Sequence, residues 1–211
     1  MTPHAAPASE RTPAPAACWS CSGAVDKDGL FCVTCGALQP PLPADHFARF
    51  GLPAGFGLDV PALERRYFEL QRRMHPDRFA ARLPKEREYS QQHAANLNDA
   101  YQTLRAPVSR AEYLLALRGK PMRGSGQETV DDEEILVHAM EMREQLAEAA
   151  SPADVEAILK TAAEQAKSVE RDIAAAFAAG DLAAAGRGTL RLKYLHKFLD
   201  DARERRGRPK L

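Results

Sequence analysis

The tripeptide His75-Pro76-Asp77 stands between two long segments of helical period, and this constrains the chain more than any other feature. Proline has no backbone N–H and clashes with the preceding turn, so Pro76 ends a helix at or near His75. Upstream, Leu63, Tyr67, Leu70 and Met74 recur at helical spacing and share one face. At about 100° per residue, Arg65 and Arg72 fall opposite that stripe, while Arg66 and Arg73 flank it. Downstream, Tyr89, His93, Leu97, Tyr101 and Leu104 form a second stripe. Two such stripes joined by a loop bury each other as a helical hairpin. Its tip then carries a His, a Pro and an Asp beside a basic helix face. Such a surface suits docking on an acidic partner rather than chemistry.

All four cysteines fall within residues 18–35, as Cys18-Trp19-Ser20-Cys21 and Cys32-Val33-Thr34-Cys35. Disulfide frameworks are rarely so clustered in a cytosolic chain. Two CxxC knuckles at this separation suit tetrahedral coordination by four thiolates, with nearby glycines letting the backbone fold round a metal. A segment of about twenty residues is too short for a hydrophobic core, so a metal would supply its folding energy. Zinc is the expected ion. A single iron, as in rubredoxin-like sites, is open to the same ligands, and a redox-active dithiol pair or unligated cysteines are the readings without a metal. Four protein ligands leave no open position, which points to a structural role.

The 29 Lys and Arg residues balance 29 Asp and Glu, so no net charge favours nucleic acid or a membrane surface. No run approaches the ~18 apolar residues of a membrane span. The N-terminal residues lack the basic-then-apolar pattern of a signal peptide. The expected location is the cytoplasm. No phosphate-binding glycine loop, HExxH or clustered acid–base pair occurs, so no enzymatic activity is expected.

Along the chain, residues 1–17 are rich in Pro, Ala, Ser and Thr and read as a disordered tail. Residues 18–40 are the four-cysteine segment, followed by the stiff connector Pro40-Pro41-Leu42-Pro43. Residues 44–119 form one domain. A short helix near Phe47 and Phe50 is ended by Gly51 and Pro53, and Asp59 caps the next, with Pro61 in its first turn. A further helix from about Ala106 stops at Gly119. Residues 120–130 read as a linker. Residues 131–206 form an antiparallel three-helix bundle: 131–149, then Ser151 to about Ala179 with Gly180 as the stop, then Leu182 to about Arg205. The closing Arg-Glu-Arg-Arg-Gly-Arg reads as a solvated tail. In the first bundle helix Ile135, Ala139, Met142 and Leu146 make one stripe, while Leu136, Val137 and Met140 lie on another side, near Glu141 and Glu144. The pattern leaves two readings open, a helix sandwiched between partners or a binding face.

Leu70 to Phe79, with His75-Pro76-Asp77 as the signature tripeptide and Asn98 to Leu104 beyond, resembles the second helix, loop and third helix of a J domain. The resemblance implies that the tripeptide stimulates ATP hydrolysis by a DnaK-type chaperone. Asp77 would pair with an arginine there, and Arg65, Arg66, Arg72, Arg73 and Arg78 would face its acidic surface. Ala106 to Leu115, followed by Glu141 to Leu146, is similar to the HscB-type co-chaperones of iron–sulfur cluster biogenesis, over about residues 45–205. That resemblance implies an all-α fold, a J-domain hairpin plus a C-terminal three-helix bundle. It also implies two partners, a dedicated DnaK-type (HscA-like) chaperone and an IscU-like iron–sulfur scaffold protein. The scaffold-binding positions it implies are Leu136, Val137, Met140, Glu141, Glu144 and Tyr194. Val137, Met140 and Tyr194 stand where Met, Leu and Phe are common in the family, and all keep an apolar surface. Tyr67 and Phe68 occupy the positions where general-purpose J domains carry Tyr and a base, which fits a dedicated partner. Mitochondrial members carry a similar four-cysteine segment. Two alternatives come from other classes: a general J-domain chaperone for unfolded clients, and a cysteine-ligated metal redox protein.

Overall fold

The computed structural model describes residues 17–122 and 133–207. The expected disordered tail lies outside these residues except at Ala17, and the expected linker lies outside them except at 120–122. Among the described residues the fold is all-helical: α1 (His46–Arg49), α2 (Val60–Met74), α3 (Pro84–Arg105), α4 (Pro107–Leu117), α5 (Glu133–Glu148), α6 (Pro152–Ala179) and α7 (Leu182–Gly207). A 3-10 turn, Pro76–Phe79, follows α2. Two isolated β-bridges, Val25 with Cys32 and Phe31 with Leu38, occur before α1.

The helix ends follow from local chemistry. Asp45 and Asp59 accept hydrogen bonds from the amides of Ala48 and Ala62, each satisfying a first-turn N–H. Ser151 and Asp154 form a reciprocal capping box at the start of α6, and Gly180, at φ 75°, closes it in the left-handed region. At the end of α2, Pro76 has no N–H to offer the Arg72 carbonyl. The Arg78 guanidinium donates to that carbonyl instead, at 3.4 Å. The Met74 carbonyl accepts from the buried Ser90 hydroxyl at 2.7 Å, tying α2 to α3 beside the tip.

The chain divides into two compact units, Met1–Ala54 with Leu58–Ala106, and Gly55–Gly57 with Pro107–Leu211. In the first, Leu63, Leu70 and Met74 of α2 and Leu97, Tyr101 and Leu104 of α3 are buried with Phe47 and Phe50. Tyr67 stacks on Tyr101 with ring centroids 4.2 Å apart and donates to Asn98 at 2.9 Å. These are the two stripes expected of the hairpin. The four-cysteine segment belongs to this same unit.

In the second unit, Ile135, Ala139, Met142 and Leu146 of α5 are buried in the expected register. Leu159, Ile173 and Phe177 of α6 and Leu192, Leu195, Phe198 and Leu199 of α7 are buried in the same unit. Helix α7 packs against α4, α5 and α6, which explains why its apolar positions spread over two sides. Gly188 allows a close approach to α6: a Cβ there would lie 2.8 Å from Ile173 Cγ1.

Two expectations from the sequence differ from the structure. The sequence groups residues 107–117 with the hairpin, whereas α4 packs on α7; Lys193 pairs with Glu112 at 3.1 Å, and Arg118 donates to the Phe177 carbonyl at 2.9 Å. Of the expected C-terminal tail, residues 203–207 instead belong to the end of α7. There Arg205 donates to the carbonyls of Ala147 and Ala149, and Arg206 pairs with Glu156 at 2.7 Å. Those carbonyls lie at and just beyond the end of α5, where cations are favoured.

Candidate metal centre and interaction surfaces

The two cysteine knuckles are built alike. Each first cysteine, Cys18 or Cys32, accepts at its carbonyl from the amide four residues on (Ser22 or Gly36). Each also donates its own amide to the carbonyl five residues on (Gly23 or Ala37). The fourth-on position is left-handed in both, at φ 61° in Ser22 and 72° in Gly36. Gly23 is required by close approach, since a Cβ there would lie 2.5 Å from Thr34 Oγ1.

The four sulfurs lie within 4.8 Å of one another. Cys18 Sγ is 3.8 Å from Cys35 Sγ, and Cys21 Sγ is 3.5 Å from Cys32 Sγ. A tetrahedron with metal–sulfur arms of about 2.3 Å has edges of about 3.8 Å. Backbone amides already face the sulfurs: Ser20 N–H to Cys18, Gly23 N–H to Cys21, and the Thr34 and Cys35 N–H groups to Cys32. The N–H group of Cys35, helped by that of Thr34 and opposed by desolvation, holds the Cys32 thiol down at about 6. Burial raises Cys18, and donors from Cys21, Ser20 and Gln39 outweigh it, so its thiol is lowered. At Cys21 the Gly23 N–H lowers the thiol pKa, but the Cys35 and Cys32 thiols outweigh it and push it up to about 12. The Cys32 and Cys18 thiols thus ionise more readily than a free cysteine, and a bound cation would deprotonate the others. The donor set fits a four-thiolate metal site.

This segment is joined to the hairpin by side chains of α2 and α3. Arg73 lies 3.4 Å from Asp28 and 3.6 Å from Asp26, over the Phe31 ring. From α3, Lys85 lies over the Trp19 ring, Tyr89 meets that ring edge-on at 5.8 Å, and the buried Glu86 accepts from the Leu38 amide. His93 Nε2 lies 2.9 Å from the Gln39 carbonyl. Gln39, fully buried, donates through Nε2 to Cys18 Sγ at 3.4 Å and to the Ala37 carbonyl at 2.8 Å. No local signal marks these contacts, because Asp28 and Arg73 stand 45 residues apart in the chain.

At the tip, His75 and Asp77 are exposed, and the Asp77 amide donates to His75 Nδ1 at 3.3 Å. Arg65 and Arg72 project outward with no ion pair among the described residues, whereas Arg66 pairs with Glu69 at 2.9 Å. Arg78 is held on the Arg72 carbonyl, and Arg73 on the four-cysteine segment. On α5, Leu136, Val137 and Met140 are 38%, 47% and 69% exposed, so the second apolar face lies outside the bundle core. Glu141 and Glu144 are exposed on the same helix, and Tyr194 is half-buried on α7, against which α5 packs.

Comparison with known proteins agrees with this architecture. Residues 131–203 match the family described as the HSCB C-terminal oligomerisation domain. The chain is 38% identical over 181 residues to the iron-sulfur cluster co-chaperone protein HscB of Mus musculus, covering 84% of this chain and 77% of that protein. It is 39% identical to a co-chaperone protein HscB homolog of Aeromonas salmonicida, covering 74% of this chain and 93% of that one. The crystal structure of human co-chaperone protein HscB superposes with a TM-score of 0.80 at 32% identity, over 90% of this chain and 98% of that one. A hairpin bearing His-Pro-Asp, joined in one chain to a separate helical bundle, defines a J-type co-chaperone. Within that class, the chain belongs to the HscB family. Among the described residues no helix is long and apolar enough to cross a membrane.

Proposed function

We propose that the chain is a co-chaperone of iron–sulfur cluster assembly, delivering a cluster scaffold protein to a dedicated DnaK-type chaperone and stimulating that chaperone's ATPase. The observation that carries this reading is the outward apolar face of α5, since Leu136, Val137 and Met140 remain exposed while the adjoining stripe is sealed. The scaffold would dock there through these side chains, with Glu141, Glu144 and Tyr194 alongside. The exposed His75-Pro76-Asp77 tip would engage the chaperone, with Asp77 pairing with an arginine. Among the described residues Arg65 and Arg72 of the preceding helix form no ion pair, and charged contacts of this kind set on-rate and partner choice. Two modest affinities on one chain raise the local concentration of scaffold at the chaperone. The protein acts by holding partners, not by covalent chemistry.

Zinc is the metal assigned to Cys18, Cys21, Cys32 and Cys35, in a structural role with all four positions filled by protein. The deciding experiment is chaperone ATPase turnover with this protein, with the scaffold added and withheld. Stimulation by this protein, increased further by scaffold, is the expected result. Equal turnover with and without this protein would overturn the reading. Colourless purified protein with one tightly held zinc per chain is expected, and a red iron site would overturn the zinc assignment.

A further inference from the structure

Among the described residues, the ion-pair, ring and hydrogen-bond contacts of the four-cysteine segment with the hairpin run from the end that carries His75-Pro76-Asp77 to His93, near the middle of α3. Its contacts on α2 come from Arg73, two residues before His75. Its contacts on α3 come from Lys85, Glu86 and Tyr89 in the first turns, and from His93 one turn later.

Both sets of contacts lead back to the sulfurs. Asp26 uses Oδ1 to accept the amides of Leu30 and Phe31, at 2.8 and 3.2 Å, and Oδ2 to face Arg73. The loop it organises runs directly into Cys32, which bridges back to Val25. On the other side, the Gln39 side chain touches Cys18 Sγ while its carbonyl faces His93. Trp19, between Cys18 and the knuckle turn, donates Nε1–H to the Leu38 carbonyl at 2.7 Å, and the Leu38 amide in turn reaches Glu86. The segment has little apolar core of its own, namely Cys18, Cys32 and Ala37 with Trp19 and Val25 packed against them. Without a metal joining the knuckles, the loop holding Asp26 and Asp28 has little to fix it.

We propose that the four-cysteine segment is a metal-dependent splint for the hairpin tip, with Arg73 as the positioning residue that transmits metal occupancy to His75-Pro76-Asp77. This rests on the reading of the four cysteines as a metal site and is independent of which partners the tip engages. It removes Arg73 from the set of chaperone-facing cations and gives it an internal role. Loading the site fixes Asp26 and Asp28, which fix Arg73 and the last turn of α2. Emptying it releases that turn while Ser90 still holds the Met74 carbonyl.

The test uses the full chain alone, with metal removed by a strong chelator and restored with Zn(II). Trp19 is the sole tryptophan and reports docking of the segment on Tyr89. Amide hydrogen exchange over residues 71–79 reports the tip, and exchange in α6 serves as the internal reference. Metal removal is expected to red-shift Trp19 emission and speed exchange at 71–79 by about tenfold, the scale of one lost charge-assisted contact, with reversal on adding Zn(II). Zinc-loaded Arg73→Leu is expected to keep the Trp19 emission of the wild type while its tip exchanges as fast as metal-free protein. Arg73→Lys is expected to restore part of the protection. Unchanged exchange at 71–79 when Trp19 reports undocking would overturn the proposal. So would wild-type exchange in zinc-loaded Arg73→Leu, which keeps the test decisive if metal removal unfolds the whole unit.

Discussion

At the scale of single residues, a buried histidine and an exposed aspartate do opposite kinds of work. Burial lowers the pKa of His93 below its ordinary 6.5, against the Gln39 carbonyl, which favours the charged ring. The unfolded chain therefore binds that proton more readily than the folded one. The contribution of His93 is fully present above 6.5 and is lost as pH falls through the lower, folded value. His46 shifts in the same direction, also by burial. His93→Gln is expected to flatten part of the stability loss between about pH 8 and pH 5, measured as urea midpoints with Zn(II) present. Asp77, by contrast, has a side chain 91% exposed and lies beside only His75 among the ion pairs of the described residues. Asp77→Ala should leave the urea midpoint within about 0.5 kcal/mol of wild type while abolishing ATPase stimulation.

At the scale of elements, α5 and α7 show how one helix serves two surfaces. Leu136→Ala combined with Met140→Ala removes exposed side chains, so stability should change by about 0.5 kcal/mol or less while scaffold binding is lost. Met142→Ala on the same helix opens the sealed stripe and should cost about 2–5 kcal/mol in a denaturant titration. Equal destabilisation by the two variants would mean that the outer face is structural. Between α6 and α7, Gly188→Ala would place a methyl 2.8 Å from Ile173 Cγ1. Overpacking of this kind costs about 1–3 kcal/mol, and Gly188→Ala combined with Ile173→Val should recover part of it.

At the scale of the molecule, two compact units carry the two proposed tasks, the hairpin tip in one and the α5 face in the other. Division of labour makes them separable. Asp77→Ala should bind scaffold with wild-type affinity, and the Leu136→Ala, Met140→Ala double variant should stimulate the chaperone normally when scaffold is absent. Titration calorimetry for binding and turnover assays for stimulation would check both. Loss of both activities in either folded variant would show that the tasks are not divided.

Local rules written in the residues themselves sufficed for the helices. Period placed the buried stripes of α2, α3 and α5, Asp59 and Ser151 marked starts, Pro76 and Gly180 marked stops, and CxxC spacing brought four sulfurs together. These features depend on contacts within a few turns, so sequence distance is a fair guide to them. What only the tertiary structure decided is which distant charges meet. Arg73 pairs with Asp26 and Asp28, α4 packs on α7, and Arg205 donates to a carbonyl at the end of α5. A guanidinium on an amphipathic helix looks the same in sequence whether water, a partner or a remote loop awaits it. The choice follows from chain path, which no periodicity encodes.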